Sequence, residues 1–217
     1  ALGNLVSLLK EAGADPQDIC KMTVYISDRA YRPAVYPMIG KHLSGIRPVS
    51  TGIVTTGFAR EDIHFEIDVT VVKRLSGVPH QRIRPYHSSS ARYGTEKQGL
   101  NIDLCMAVVA GDRVILRGQT GMGLDEILYG VGDAKAQAEK AMDNVKTLLH
   151  EAGAKITDIA KLTIYVTDRA YLAEVNAAIL KCMGQHEPAV TCLVVKGLAS
   201  PELLMEVDVI AYKGGVL

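Results

Sequence analysis

The sequence lacks the residue patterns that define several common kinds of site. Its four cysteines, Cys20, Cys105, Cys182 and Cys192, form no Cys-x-x-Cys pair or other metal-binding spacing, and each lies in an apolar stretch. The six histidines show no His-x-His or His-x-x-x-His spacing. No apolar run is long enough to span a bilayer. We therefore expect free buried thiols in a reducing cytoplasm, no metal and no membrane partner.

An excess of charge of one sign is also missing. Lys and Arg together number 24, as do Asp and Glu, so no global field would attract nucleic acid. The glycine pattern Gly118-x-x-Gly121-x-Gly123 does not lie between a strand and a helix in the dinucleotide-binding geometry. We therefore expect no nucleic-acid partner and no cofactor.

What the sequence does contain is a long internal repeat. Shifting residues 1–73 by 140 positions requires no gap and gives 29 identities in 73 pairs, which is too many for coincidence. We therefore divide the chain into a first repeat (1–73), a linker (74–100) and a second repeat (101–217). The linker has little periodicity, and we expect its basic cluster of Arg82, Arg84, His87 and Arg92 to be solvated.

Each repeat shows the periodicity of an α+β domain. An amphipathic helix, an alternating strand, a second helix and two further strands follow in order. We predict two tandem domains, each a mixed β-sheet with two helices on one face. Pro33 and Pro37 should kink or shorten the second helix of the first repeat.

A hairpin before the first helix of the second repeat has no counterpart in the first repeat. Its strands are Asp103–Val109 and Arg113–Gly118, joined by a turn around Gly111. By analogy with the second repeat, the first should have about 40 further residues upstream of Ala1.

Several motifs resemble those of the RidA/YjgF family: Arg117–Gln119, Ala136–Val145, Asp158–Asp168 and Glu206–Asp208. The resemblance implies chorismate-mutase-like domains that associate as trimers, with substrate pockets in clefts between subunits. It also implies hydrolysis of enamine or imine intermediates to 2-keto acids and ammonia, and an older family label is endoribonuclease. We accordingly expect a small-molecule substrate or ligand and a homo-oligomer, trimeric or built from trimeric rings of repeats.

One departure from the family concerns substrate binding. Family deaminases carry Pro-Ala-Arg-Ser, whose arginine binds the substrate carboxylate in bidentate fashion. Val190 replaces that arginine in the second repeat and Ser50 replaces it in the first. Arg117 stands where the family has a pocket serine and could supply the missing cation, or it could be an exposed arginine at a strand end.

The resemblance also assigns the other site residues. Glu206 matches the pocket glutamate, which can orient water and transfer a proton, or could instead form an interchain salt bridge. Cys192 could line the pocket or be a packing thiol. The remaining substrate-binding candidates are Gln119, Asn176, Val190 and Thr191, with Tyr36, Ser50 and Glu66 as counterparts in the first repeat.

The leading hypothesis is a hydrolase or deaminase that acts on an imine, an enamine or a related acid in clefts between subunits. Because the usual arginine is absent from both repeats, a non-catalytic ligand-binding or scaffold protein is the alternative. The endoribonuclease label is a third hypothesis, which the neutral charge balance disfavours.

Overall fold

The computed structural model describes residues 1–74, 77–88 and 100–214, together with the backbone of 92–93 and 96–97. Within these ranges the helices are α1 (Leu2–Glu11), α2 (Arg32–His42), α3 (Ala134–Glu151) and α4 (Leu172–Met183). The strands of the first repeat are β1 (Ile19–Ile26), β2 (Val49–Val54) and β3 (Phe65–Val71). The later strands are β4 (Gln81–Ile83), β5 (Tyr86–His87), β6 (Arg92–Tyr93), β7 (Glu96–Lys97), β8 (Asp103–Leu104), β9 (Ala107–Ala110), β10 (Arg113–Leu116), β11 (Ile159–Val166), β12 (Ala189–Val194) and β13 (Met205–Tyr212).

The two repeats have the same sheet topology. In the first, β1 is central, parallel to β2 and antiparallel to β3. In the second, β11 is central, parallel to β12 and antiparallel to β13. Even the register matches, because Lys21 lies opposite Val49 and Lys161 lies opposite Ala189. The predicted fold class, tandem mixed α+β domains, is confirmed.

The sheet of the second repeat is larger, with the order β12-β11-β13-β10-β9-β4. The predicted hairpin forms from β9 and β10 and turns at Gly111, whose φ of 65° is favoured by glycine. Residues 103–104 of the predicted first hairpin strand pair instead with β5. The segment expected to be a linker also supplies β4, which pairs antiparallel with β9.

Two arginines of the predicted solvated cluster bind protein groups instead. Arg84 Nη2 lies 2.6 Å from Glu151 Oε1 in an ion pair. Arg82 Nη2 donates a hydrogen bond of 3.0 Å to the carbonyl of Ile19 in the first repeat. The side chain of Arg92 lies outside the described residues. The expectation of solvation is therefore wrong for Arg82, which is half-buried against the first repeat, whereas Arg84 is exposed and forms its ion pair at the surface.

The helix ends follow the sequence signals. Asp133 caps α3 by accepting a hydrogen bond of 2.9 Å from the amide of Ala136, and Gly153 follows the helix with a φ of 72°. The prolines of α2 shorten it little, since it has 11 residues and α4 has 12. Pro33 lies in the first turn, and Pro37 removes one backbone donor from a helix that packs against the core.

Each repeat has its own core, formed where its two helices cover one face of its sheet. Val145 of α3 and Ile179 of α4 pack with Leu162 of β11 in the second repeat. In the first, the segment before β9 contributes Leu100 and Ile102 to the core. The expectation of buried thiols holds for Cys20 and Cys105, whereas Cys182 is half-buried and Cys192 is exposed on the edge strand β12.

Candidate active site

The contact between the two repeats places charged side chains in the interior. Lys21 of β1 and Asp208 of β13 form an ion pair with an Nζ–Oδ2 distance of 2.5 Å, and both residues are buried. Asp208 also accepts hydrogen bonds from the hydroxyl groups of Thr51 and, at 3.3 Å, Tyr165. With three donors around its carboxylate, Asp208 is a structural residue that joins the repeats.

Glu206 lies on the same face of β13 as Asp208, as the alternation of strand side chains predicts. Only 4% of it is exposed, and within the described part of the chain its carboxyl group has no hydrogen-bond or ion-pair partner. Burial and the nearby charge of Asp208 raise the pKa of Glu206 to about 8, although the cations of Arg117, Lys21 and Arg32 lower it. At neutral pH the protonated form of Glu206 therefore predominates.

Gly118, at the end of β10, makes room for the Glu206 side chain. A Cβ atom on residue 118 would collide with the carboxyl oxygen Oε1 of Glu206. The glycine of the Arg117-Gly118-Gln119 motif is therefore required because the carboxyl group packs directly over the backbone.

Arg32 and Tyr36 of α2 project from the first repeat towards Glu206. Their spacing of four residues places them on one helix face, where Arg32 Nη1 donates to Tyr36 Oη at 3.4 Å and the guanidinium carbon lies 4.6 Å from the ring centre. Both side chains are buried. Gly52 lies beneath them, and a Cβ there would come within 2.5 Å of the Tyr36 hydroxyl.

These side chains enclose a small cavity between the repeats. Its volume is about 20 Å³, which is sufficient for one water molecule, and its polar lining comes from both repeats. The lining includes Arg32, Tyr36, Ser50, Arg117, Gly118 and Glu206.

A larger cavity of about 170 Å³ lies on the other side of Arg117. Tyr86, Met106 and Gln119 line it, and Arg117 and Gly118 border both cavities. Arg117 is half-buried, with its guanidinium carbon 5.6 Å from the ring centre of Tyr86 and Nη1 3.7 Å from the sulfur of Met106. It is therefore a cavity-lining residue and not a solvated arginine at a strand end.

The structure separates the other candidate residues from this site. Asn176, Val190, Thr191 and Cys192 lie on α4 and on the exposed strand β12, where Cys192 Sγ is 3.6 Å from Asn176 Oδ1. Glu66 is exposed on β3. Within one chain, Glu206 and Arg117 thus share a cavity with Tyr36 and Ser50 of the first repeat. They do not lie with the second-repeat candidates, which are on α4 and β12.

Arg32 and Tyr86 are site residues that the sequence analysis missed. Arg32 replaces Leu172 of the second repeat and lies one helical turn before Tyr36, so the two changes together signal an altered pocket. Tyr86 belongs to the segment interpreted as a linker. Gln119, a predicted substrate-binding residue, lines the larger cavity, and its amide nitrogen Nε2 donates a hydrogen bond of 2.7 Å to the carbonyl of Arg117.

The described ranges contain no cluster of three or more His, Cys, Asp or Glu side chains arranged to hold a metal ion. No helix in them has both the length and the apolar character needed to cross a membrane.

A cleft that is closed between two copies of an α+β domain, and that holds a few convergent polar groups, is typical of a small-ligand site. The family model for endoribonuclease L-PSP matches residues 103–213. The chain belongs to this family, which is also known as the RidA/YjgF family.

Curated relatives and solved structures agree with this assignment. A RutC family protein of Pyrococcus abyssi is 31% identical over 107 residues, which are 49% of this chain and 84% of that protein. The 2-iminobutanoate/2-iminopropanoate deaminase of Escherichia coli is 30% identical over 129 residues, or 58% of this chain and 93% of the enzyme. The crystal structure of the yeast protein YEO7 has a TM-score of 0.50 at 23% identity, covers 62% of this chain and 99% of its own, and shows the shared fold.

Proposed function

We propose that the chain is a hydrolase that deaminates small imino or enamine acids in the cleft between its two repeats. The observation that carries the proposal is the arrangement of two guanidinium groups, from Arg32 and Arg117, around the buried carboxyl group of Glu206. A relative of the chain is named as a deaminase of 2-imino acids, whose substrates combine a carboxylate with an imine.

Arg32 and Arg117 are the groups that bind the substrate carboxylate. A guanidinium is planar and always charged, and it matches a carboxylate through paired N–H donors. Arg32 comes from α2, and its packing on the Tyr36 ring fixes the direction of its donors. These two residues thus take the role of the family arginine, whose position is occupied by Val190 in the second repeat and by Ser50 in the first.

Glu206 supplies the proton transfers. Its protonated form donates to the imine nitrogen, which makes the adjacent carbon more electrophilic. A water oxygen then bonds to that carbon, and the water proton passes to the Glu206 carboxylate. When this proton moves on to nitrogen and the new hydroxyl group gives its own proton to the Glu206 carboxylate, the carbon–nitrogen bond breaks, which leaves a 2-keto acid and ammonia and restores the protonated Glu206.

The cavity sizes fit these roles. The larger cavity, of about 170 Å³, accommodates the carbon chain of a small acid. Arg32 and Glu206 line only the smaller cavity, so the carboxylate and imine groups reach them where the two cavities meet at Arg117 and Gly118. The smaller cavity has space for one water next to Glu206. Arg117 borders both cavities and so lies between the place of the carbon chain and the place of the water.

Ammonia release from 2-iminopropanoate generated in the assay tests the proposal. Arg32→Gln and Glu206→Gln should each lower kcat/KM at least about tenfold, since each removes a charge-assisted contact or the proton donor. The matched controls are Arg47→Gln and Glu139→Gln, both at exposed positions, and these should retain the wild-type rate. Equal rates for Arg32→Gln and Arg47→Gln would contradict the assignment.

The second candidate function is ligand binding without turnover. It is favoured by the replacement of the family arginine with Ser50 and Val190, because that change weakens a charge-assisted contact by about 1.5–3 kcal/mol. Saturable binding of a 2-keto acid that depends on Arg32, without ammonia release from a panel of imino acids, would establish this alternative. Cleavage of RNA that persists through further purification would instead support the endoribonuclease label.

A further inference from the structure

Met106 and Arg117 are neighbours across the hairpin of β9 and β10. They extend its pairing by one residue on each side, and the Arg117 amide donates a hydrogen bond of 2.9 Å to the Met106 carbonyl. The Met106 amide donates in turn to the Ile83 carbonyl at 3.0 Å. Because both backbone groups of Met106 are held, its side chain stays beside that of Arg117.

The two side chains meet in the wall of the larger cavity. Arg117 Nη1 donates to the thioether sulfur of Met106 over 3.7 Å, and both residues line the cavity of about 170 Å³. A thioether sulfur is a weak acceptor, whereas a guanidinium binds carboxylate oxygens strongly. The sulfur therefore competes little with an acid for this donor.

Exposure distinguishes Met106 from most of the other methionines. Of the seven in the chain, five are buried: Met22, Met122, Met142, Met183 and Met205. Met38, on α2, is 50% exposed and lines neither cavity of the candidate site. Met106 is partly exposed in the cavity wall. A small oxidant thus reaches Met106 through the cavity and Met38 from the surface.

We propose that Met106 is an oxidation site that controls the binding of acids by Arg117. The oxidant is a peroxide. The sulfur lone pair attacks one oxygen of hydrogen peroxide, the sulfur–oxygen bond forms as the oxygen–oxygen bond breaks, and the departing hydroxide leaves as water with the proton of the transferred hydroxyl group. Sulfur loses two electrons to the peroxide and becomes a sulfoxide, which methionine sulfoxide reductases can reduce again.

The sulfoxide oxygen changes the hydrogen bonding of Arg117. It stands one bond from the sulfur, and Nη1 is already 3.7 Å from that sulfur, so the oxygen lies within hydrogen-bonding reach of Nη1. It then competes with an acid for the same donor and takes up space in the cavity beside Tyr86 and Met122. The inference rests on the proposed function, in which Arg117 binds the substrate carboxylate. Oxidation should therefore weaken acid binding, and reduction should restore it.

Hydrogen peroxide treatment followed by peptide mapping with mass spectrometry tests the site of oxidation. Met38 and Met106 should each gain one oxygen atom, while the five buried methionines should gain none. Met38→Leu and Met106→Leu are a matched pair, because each removes one accessible sulfur at similar side-chain volume and both keep the four free cysteines. An unoxidised Met106 in a chain whose Met38 is fully oxidised would overturn the proposal.

Calorimetric titration with pyruvate, before and after peroxide treatment, tests the effect on binding. Wild type and Met38→Leu should each bind pyruvate about tenfold more weakly after treatment, as expected for the loss of one charge-assisted hydrogen bond. Met106→Leu, compared with its own untreated form, should show no such loss. An undiminished affinity in oxidised wild type, or equal losses in the two variants, would contradict the role of Met106.

A crystal structure of the oxidised wild type distinguishes failure of this proposal from failure of the proposed function. The sulfoxide oxygen should lie within about 3.2 Å of Arg117 Nη1. If untreated wild type does not bind pyruvate, the proposed function is wrong, and the crystal structure still decides whether the sulfoxide takes the Arg117 donor. An oxygen directed away from Arg117 would overturn the proposal even where pyruvate binds.

Discussion

Lys21 and Asp208 lie 187 positions apart in the sequence, yet they form a buried ion pair of 2.5 Å that joins the two repeats. Thr51 and Tyr165 complete the coordination of the Asp208 carboxylate. The same contact places Glu206, two residues before Asp208 on β13, against the first repeat. The ion pair thus fixes the geometry of the cleft that holds the candidate site.

Loss of Lys21 should destabilise the chain strongly. Lys21→Met leaves the buried charge of Asp208 without its cation, so the free energy of unfolding should fall by about 3 kcal/mol. Lys135→Met, at an exposed position, should change it by less than about 0.5 kcal/mol. Urea unfolding of the three proteins measures both values. A small effect at Lys21 would show that the hydroxyl donors alone hold Asp208.

The pH dependence of stability should report the titration of Glu206. Its pKa is about 8 in the folded chain and 4.5 in the reference state, so the folded chain retains a proton that the unfolded chain releases. The contribution of this group to stability is therefore complete below pH 4.5 and is lost as the pH rises through about 8. Between these values, the free energy of unfolding should fall by about 1.4 kcal/mol per pH unit more in wild type than in Glu206→Gln.

Urea unfolding of wild type and Glu206→Gln at pH 6, 7 and 8 measures this difference in slope. Glu139→Gln, which alters an exposed carboxylate, should follow the wild type. Parallel curves for wild type and Glu206→Gln would contradict a raised pKa at Glu206.

Gly118 should tolerate no side chain. Gly118→Ala places a methyl group against the Glu206 carboxyl oxygen, and the displacement should lower the free energy of unfolding by about 1–3 kcal/mol and reduce deamination. Gly3→Ala is the control, since a Cβ there meets no atom within 4 Å and alanine favours the helix α1. If Gly118→Ala is as stable and as active as Gly3→Ala, Glu206 does not occupy the position described.

The repeat could be predicted from the sequence because local signals agree with each other. Alternation along β1 and β11 predicted their faces. Asp28 and Asp168 each cap the short 3-10 turn before α2 and α4 by accepting a hydrogen bond from an amide two residues later. The strand positions of Glu206 and Asp208 followed from the same alternation. All of these features depend on residues close in sequence.

The composition of the cleft could not be predicted in full because it depends on contacts over long sequence distances. The sequence around Arg32 is that of an ordinary helix, and only the packing of the two repeats places Arg32 near Glu206. Likewise, Arg82 and Arg84 lie in a segment without periodicity, yet Ile19 and Glu151 hold them. Local sequence patterns do not show which surface of one repeat packs against the other. That packing determines which residues share a cavity.

Calorimetric titration with pyruvate, a 2-keto acid of the proposed product class, tests the central claim most directly. If the cleft between the repeats binds the carboxylate through Arg32, Arg32→Gln should weaken binding by roughly 10- to 100-fold, while Arg47→Gln should bind as wild type does. Equal affinity of pyruvate for wild type and Arg32→Gln would contradict the assignment of this cleft as the substrate site.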